Sequence, residues 1–114
     1  MRQIPITELI EAPGILRLDQ REFIRDIRIP ALPADVTVAV SKNRRREALA
    51  ISRLTLTLVL RLAEDLSISD FRAAVGAVFP RPMRFPVVEG QFIGRILTED
   101  TCCEMAEAIS AKIP

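Results

Sequence analysis

The side chains that could do chemistry in this chain are few, and their spacing is as informative as their identity. Histidine is absent from all 114 residues. That removes the commonest general base, metal ligand and nucleophile activator, and with them Ser-His, Cys-His and His-based metal sites. The two cysteines, Cys102 and Cys103, are adjacent. Adjacent cysteines bridge only with strain, and their spacing fits neither a zinc site nor a redox CxxC pair. They read as small residues on or near the apolar face of a helix. Paired acids at Glu64-Asp65 and Glu99-Asp100 fall in a connector and a first helical turn, where solvation accounts for them. The four glycines, Gly14, Gly76, Gly90 and Gly94, are too scattered for a phosphate-cradling loop.

One charge cluster stands out: Lys42, then Arg44-Arg45-Arg46, with Arg53 after it. Three readings compete for it. It is a solvated strand end, a contact with the phosphate or ring edge of a cofactor held by another domain, or a nucleic-acid patch. Arginine and lysine suit a diphosphate because both pair with phosphate oxygens. Nucleic acid is disfavoured by a net charge of only +1 and by five Phe with no Trp or Tyr, which leave neither a steering field nor a stacking platform.

The elements that must position these residues follow from apolar periodicity. Residues 1–22 are expected to form an irregular lead-in, broken by Pro5, Pro13 and Gly14, with a polar turn at Asp19–Glu22. Phe23, Ile27 and Ile29 alternate with polar residues and predict a strand ended by Pro30 and Pro33. Val36, Val38 and Val40 predict a second strand with one buried face. Leu54, Leu56, Leu58, Leu60 and Leu62 recur at every second position, a period that only a strand can gather on one face, so a long antiparallel strand is expected there. A fourth strand is expected through 67–79, with Phe71, Ala73, Val75, Ala77 and Phe79 on one face. Arg72, Ala74, Gly76 and Val78 take the other, and its small residues would let a backbone or helix pack close. A short helix is expected over 84–93, with Pro86 in its first turn and Gly94 closing it. Thr98 caps a last helix that begins with Glu99 and Asp100 and carries Cys102, Met105, Ala106 and Ile109 on one stripe.

Strands followed by helices predict an α+β domain: a three- to four-stranded antiparallel sheet with C-terminal helices packed on one face. An apolar fraction of 49% is enough for one core in a chain of this length. No stretch approaches the roughly 20 apolar residues of a membrane helix, and the N-terminus lacks a signal-peptide core, so a cytoplasmic location with no membrane partner is the default.

Four blocks then occur in a telling order: GILRLDQREFIRDIRIP, VAVSKNRRREALAIS, FRAAVGAVFPRPMR and EGQFIGRILTED. Together they resemble the C-terminal domain of the FAD-binding (medium) subunit of molybdenum hydroxylases, the family of xanthine dehydrogenase and carbon monoxide dehydrogenase. The likeness runs from Gly14 to Pro114. It implies that residues 1–30 are similar to the end of an upstream flavin-binding domain and that 31–114 form the C-terminal-type domain. It further implies a parent subunit that passes electrons from Fe–S clusters to FAD and on to an acceptor. Its partners would be the upstream FAD-binding domain and the Fe–S and molybdopterin subunits. The main FAD-binding loops lie outside these residues, so an excised or truncated piece, inactive by itself, is expected. Counting back from Ala50-Ile51-Ser52, Lys42 matches the family's flavin-contacting lysine, with Arg45 and Arg46 as neighbours; relatives usually carry fewer arginines there. The alternative is a stand-alone interaction module that forms a homodimer through the small-residue face around Ala74 and Gly76 or through an exposed sheet edge.

Overall fold

The computed structural model describes residues 1–44 and 52–114. They divide into two compact units, Met1–Leu32 and Pro33–Pro114.

The first unit is more ordered than its prolines suggest. A single helical turn, α1 (Ile6–Leu9), starts behind Pro5 and leads into a small hairpin of β1 (Ile10–Ala12) and β2 (Ile15–Leu16). Pro13 and Gly14 form its turn, and Gly14 takes a positive φ of 74° that glycine adopts without steric cost. The breakers therefore shape the hairpin instead of preventing it. The expected polar turn is present, with the Glu22 N–H donating to the Asp19 carbonyl at 2.9 Å. The Glu22 carboxylate takes two hydrogen bonds from Arg2, at 2.7 and 2.5 Å, and these hold its pKa below the usual range. The strand expected from Phe23 is not formed: residues 23–31 have no regular structure, and Phe23 and Ile29 are 81% and 86% exposed. Alternation makes a segment fit to be a strand, but the ladder needs a partner, and among the described residues none pairs with it.

The second unit is the expected antiparallel sheet with helices. β3 (Val36–Arg44), β4 (Ser52–Leu62), β5 (Ile68–Gly76) and β6 (Met83–Arg84) lie in the order β3-β4-β5-β6. The leucine run is β4, an interior strand, with Leu56 opposite Ser41 on one side and Val75 on the other. β5 carries the core: Ile68, Phe71, Ala73 and Val75 are buried against Val88 and Phe92 of α2 (Pro86–Phe92) and Met105 and Ile109 of α3 (Glu99–Ser110). Phe71 and Phe92 meet edge to face, with ring centroids 6.1 Å apart.

The helix ends follow the sequence signals. Pro86 is the first residue of α2, and Gly94, with φ 82°, turns the chain away two residues beyond its end. Thr98 caps α3 by accepting from the Thr101 N–H at 3.2 Å. Between the helices the chain runs beside the start of β5, where Ile68 exchanges backbone bonds with Gly94 and Arg95 at 2.8 Å.

Two expectations for this unit need correction, and one strand was not expected. β5 stops at Gly76 instead of running to Phe79, because Ala77 has a left-handed φ of 72° that no strand continues. The two-residue β6, flanked by Pro82 and Pro86, gave no periodic signal. The β3 valines are not on a buried face, and Val40 is 72% exposed. Register explains this: Val36, Val38 and Val40 stand opposite Arg61, Val59 and Thr57, the β4 residues that alternate with the leucines. They therefore lie on the sheet face away from the helices.

The β4 leucines are half-buried and border an apolar groove of about 270 Å³ against Met105 and Ile109. Burial thus differs sharply along one sheet, and stability should follow it. Replacing the 1%-exposed Ile68 by Ala should cost about 2–5 kcal/mol in urea unfolding, whereas Leu58→Ala should cost less than half as much. Equal losses would mean that another surface covers the leucines in solution.

Candidate functional site

Lys42 lies near the end of β3, directly opposite Thr55 of β4, which is in turn directly opposite Gly76 of β5. Cross-strand partners share a face, so the three residues form one row on the side of the sheet away from the helices. Lys42 is exposed, and among the described residues no ion pair engages it. Thr55 is half-buried. A Cβ on Gly76 would stand 2.5 Å from the Thr55 Oγ1, so the hydroxyl occupies the space that a side chain on β5 would take. Glycine is required here for close approach, a role its position in a strand can signal. The small-residue face expected around Gly76 therefore already holds a side chain of this sheet. Arg45 and Arg46 lie outside the described residues, so of the three cofactor-facing candidates only Lys42 has a described place. Thr55 and Gly76 were not singled out with it, because only strand register brings them beside Lys42.

A second polar centre lies at the other edge. Glu89 of α2 is 4% exposed. Its carboxylate accepts the Ala73 N–H at 2.9 Å and two bonds from Arg84, at 3.0 and 2.6 Å. The Ala73 bond satisfies a β5 amide, and the Arg84 pair ties β6 to α2. Burial pushes the Glu89 carboxyl up, but the Arg84 and Ala73 hydrogen bonds and the Arg84 charge outweigh it, and the pKa stays below the ordinary carboxylate range. With three donors from the protein on a nearly buried carboxylate, this is a structural clamp and not an acid–base catalyst.

The cysteines and the paired acids occupy helix and turn positions. Cys102 and Cys103 are free and exposed on α3, whose Met105 and Ile109 are the buried members of the expected stripe. Asp65 accepts from the Ser67 N–H and hydroxyl at 3.0 and 2.6 Å and so shapes the β4–β5 turn. Glu99 and Asp100 occupy the first turn of α3. Among the described residues no cluster of acids and cysteines could hold a metal ion, and no helix is long and apolar enough to cross a membrane.

Residues 39–114 match the CO dehydrogenase flavoprotein C-terminal domain. The chain belongs to this family. It is 27% identical over 112 residues to the glyceraldehyde dehydrogenase medium chain of Sulfolobus acidocaldarius, covering 98% of this chain and 39% of that one. Its fold is similar to that of carbon monoxide dehydrogenase from Hydrogenophaga pseudoflava in the form lacking the Mo-pyranopterin moiety of the molybdenum cofactor. There the TM-score is 0.85 at 23% identity, over 99% of this chain and 39% of that one. It is also similar to quinoline 2-oxidoreductase from Pseudomonas putida 86, with a TM-score of 0.80 at 20% identity over 94% of this chain and 36% of that one. The chain thus spans about two fifths of the length of the relatives it matches. The four-stranded sheet and C-terminal helices are those of the flavoprotein C-terminal domain fold.

The clamp gives a test with a defined sign. A carboxylate whose folded pKa is depressed stabilises the fold above its unfolded pKa and loses that contribution as pH falls through the folded value. The unfolding midpoint of the native chain should therefore fall as pH drops below about 5. Glu89→Gln should cost about 1.5–3 kcal/mol at neutral pH and flatten that acid decline. A variant with the native acid profile would show that the clamp is not formed.

Proposed function

We propose that this chain serves as the C-terminal domain of the FAD-binding medium subunit of a molybdenum hydroxylase of the xanthine and carbon monoxide dehydrogenase type. In this role it covers one side of the flavin and braces subunit contacts. The observation that carries the reading is Lys42, a cation with no ion-pair partner among the described residues, held by strand register beside Thr55 on the sheet face that the helices leave free. The residues present fit one edge of a flavin and not its diphosphate cradle. The row offers an ammonium and a hydroxyl, while Gly14, Gly76, Gly90 and Gly94 are too dispersed for a phosphate loop. When bound, FAD supplies the electron-transfer chemistry between Fe–S clusters and an acceptor. This domain's part is to orient and shield the cofactor and to set a positive charge at its rim; Arg45 and Arg46 would add to that charge. The partners in this reading are the upstream FAD-binding domain and the Fe–S and molybdopterin subunits.

A second reading, a homodimerising module, draws support from Val38 and Val40, 45% and 72% exposed on the edge strand β3. Sedimentation of the chain at high concentration decides it, since a strict monomer removes this reading.

The cofactor reading is tested by flavin fluorescence titration. The 114-residue chain alone should not bind FAD at micromolar concentrations. Joined to the FAD-binding portion of a family medium chain, it should support binding that Lys42→Ala weakens about tenfold, the equivalent of ~1.4 kcal/mol. Unchanged affinity in the Lys42→Ala protein would remove the cofactor contact, and tight binding by the chain alone would show a flavin site of its own.

A further inference from the structure

We infer that Thr55 is a second hydrogen-bond donor to the flavin ring, and that Gly76 is the residue that gives its hydroxyl room to act. This inference rests on the cofactor reading of Lys42 and deepens it. Thr55 faces Lys42 directly across β3 and β4, so a group seated over this row can meet both the ammonium and the hydroxyl. Among the described residues nothing accepts from or donates to the Thr55 hydroxyl, and no buried side-chain oxygen there is left without a partner. The hydroxyl is therefore open to the surface and available to a ligand.

Its position is fixed from the far side. The Thr55 Oγ1 stands 2.5 Å from where a Cβ of residue 76 would be. A side chain at position 76 would force the hydroxyl to shift from this place. β5 ends at this residue, because Ala77 turns into the left-handed region immediately after it. A non-glycine residue held there is strained and persists only where its surroundings enforce it. The row thus presents an ammonium, a hydroxyl and then bare backbone. Such an edge suits a planar ring with acceptor atoms along one side. The ammonium and the hydroxyl proton both donate, so they select ring carbonyl or nitrogen acceptors, and a donor at such atoms alters the electronics of the bound ring.

The experiment uses the FAD-loaded protein in which this chain is joined to the FAD-binding portion of a family medium chain. It compares Thr55→Val, which keeps the shape and removes the hydroxyl, with Thr55→Ser, which keeps the hydroxyl. The readouts are FAD affinity by fluorescence, the flavin absorption spectrum and its reduction midpoint. Thr55→Val should weaken FAD binding by about three- to tenfold and move the spectrum and midpoint, while Thr55→Ser should stay near the native values. If Thr55→Val changes nothing while Lys42→Ala still weakens binding, the inference fails and the cofactor reading stands. If neither substitution has an effect, both fail. Loss of affinity without any change in spectrum or midpoint would place the hydroxyl on the diphosphate and overturn the ring assignment. Equal losses in Thr55→Val and Thr55→Ser, together with a lowered unfolding midpoint, would reduce Thr55 to a packing residue.

Discussion

The register of β4 between β3 and β5 is the constraint on which both the core and the candidate site depend. Side chains alternate along a strand, so a slip of one residue would exchange the two faces of β4. The leucines from Leu54 to Leu60 would then turn away from α3, and Thr55 and Thr57 would turn toward it. Burial of the leucine face and presentation of Thr55 beside Lys42 are thus one structural fact seen from two sides of the sheet. The leucines hold that register because the hydrophobic gain is available in only one of the two settings.

Glu89 secures the opposite edge by a different physical balance. A carboxylate taken out of water is costly, and here the cost is offset by three donors. Arg84 keeps about half of its side chain in solvent while Glu89 keeps almost none, so only one partner of the pair is strongly desolvated. The arrangement lets a two-residue strand with little apolar content stay attached: β6 is held by its ion pair to α2 as well as by its ladder to β5.

What could be read from the sequence was whatever repeats along the chain at short range. The leucine alternation named β4, Pro86 placed α2, and Thr98 with Glu99 and Asp100 placed α3. Periodicity states which residues share a face but not which face is covered. Hence the valines of β3 suggested burial, although pairing with Thr57, Val59 and Arg61 sets them on the uncovered side. The same limit applies at Phe23–Ile29, where the pattern suits a strand but a ladder requires a partner. For the candidate site, Lys42 was reachable by counting along one strand. Thr55 and Gly76 were not, because each lies on a different strand and only pairing unites them. The family resemblance, by contrast, agreed with the fold that the periodicity had already suggested, and the match over residues 39–114 supports both.

A lysine on an edge strand has a simpler explanation, since charges there discourage edge-to-edge association, and β3 is an edge. That explanation needs only a charge, wherever it falls along the strand. It does not account for Thr55, which sits on an interior strand whose backbone is paired on both sides and needs no protection. Nor does it account for a glycine that yields its side-chain space to a hydroxyl. A device against aggregation would also be expected to break up the exposed valines, yet Val38 and Val40 precede Lys42 without interruption on the same face. An apolar stripe that ends in a cation, a hydroxyl and bare backbone is better suited to a surface that is covered in the working protein, with the polar end meeting the polar edge of what covers it.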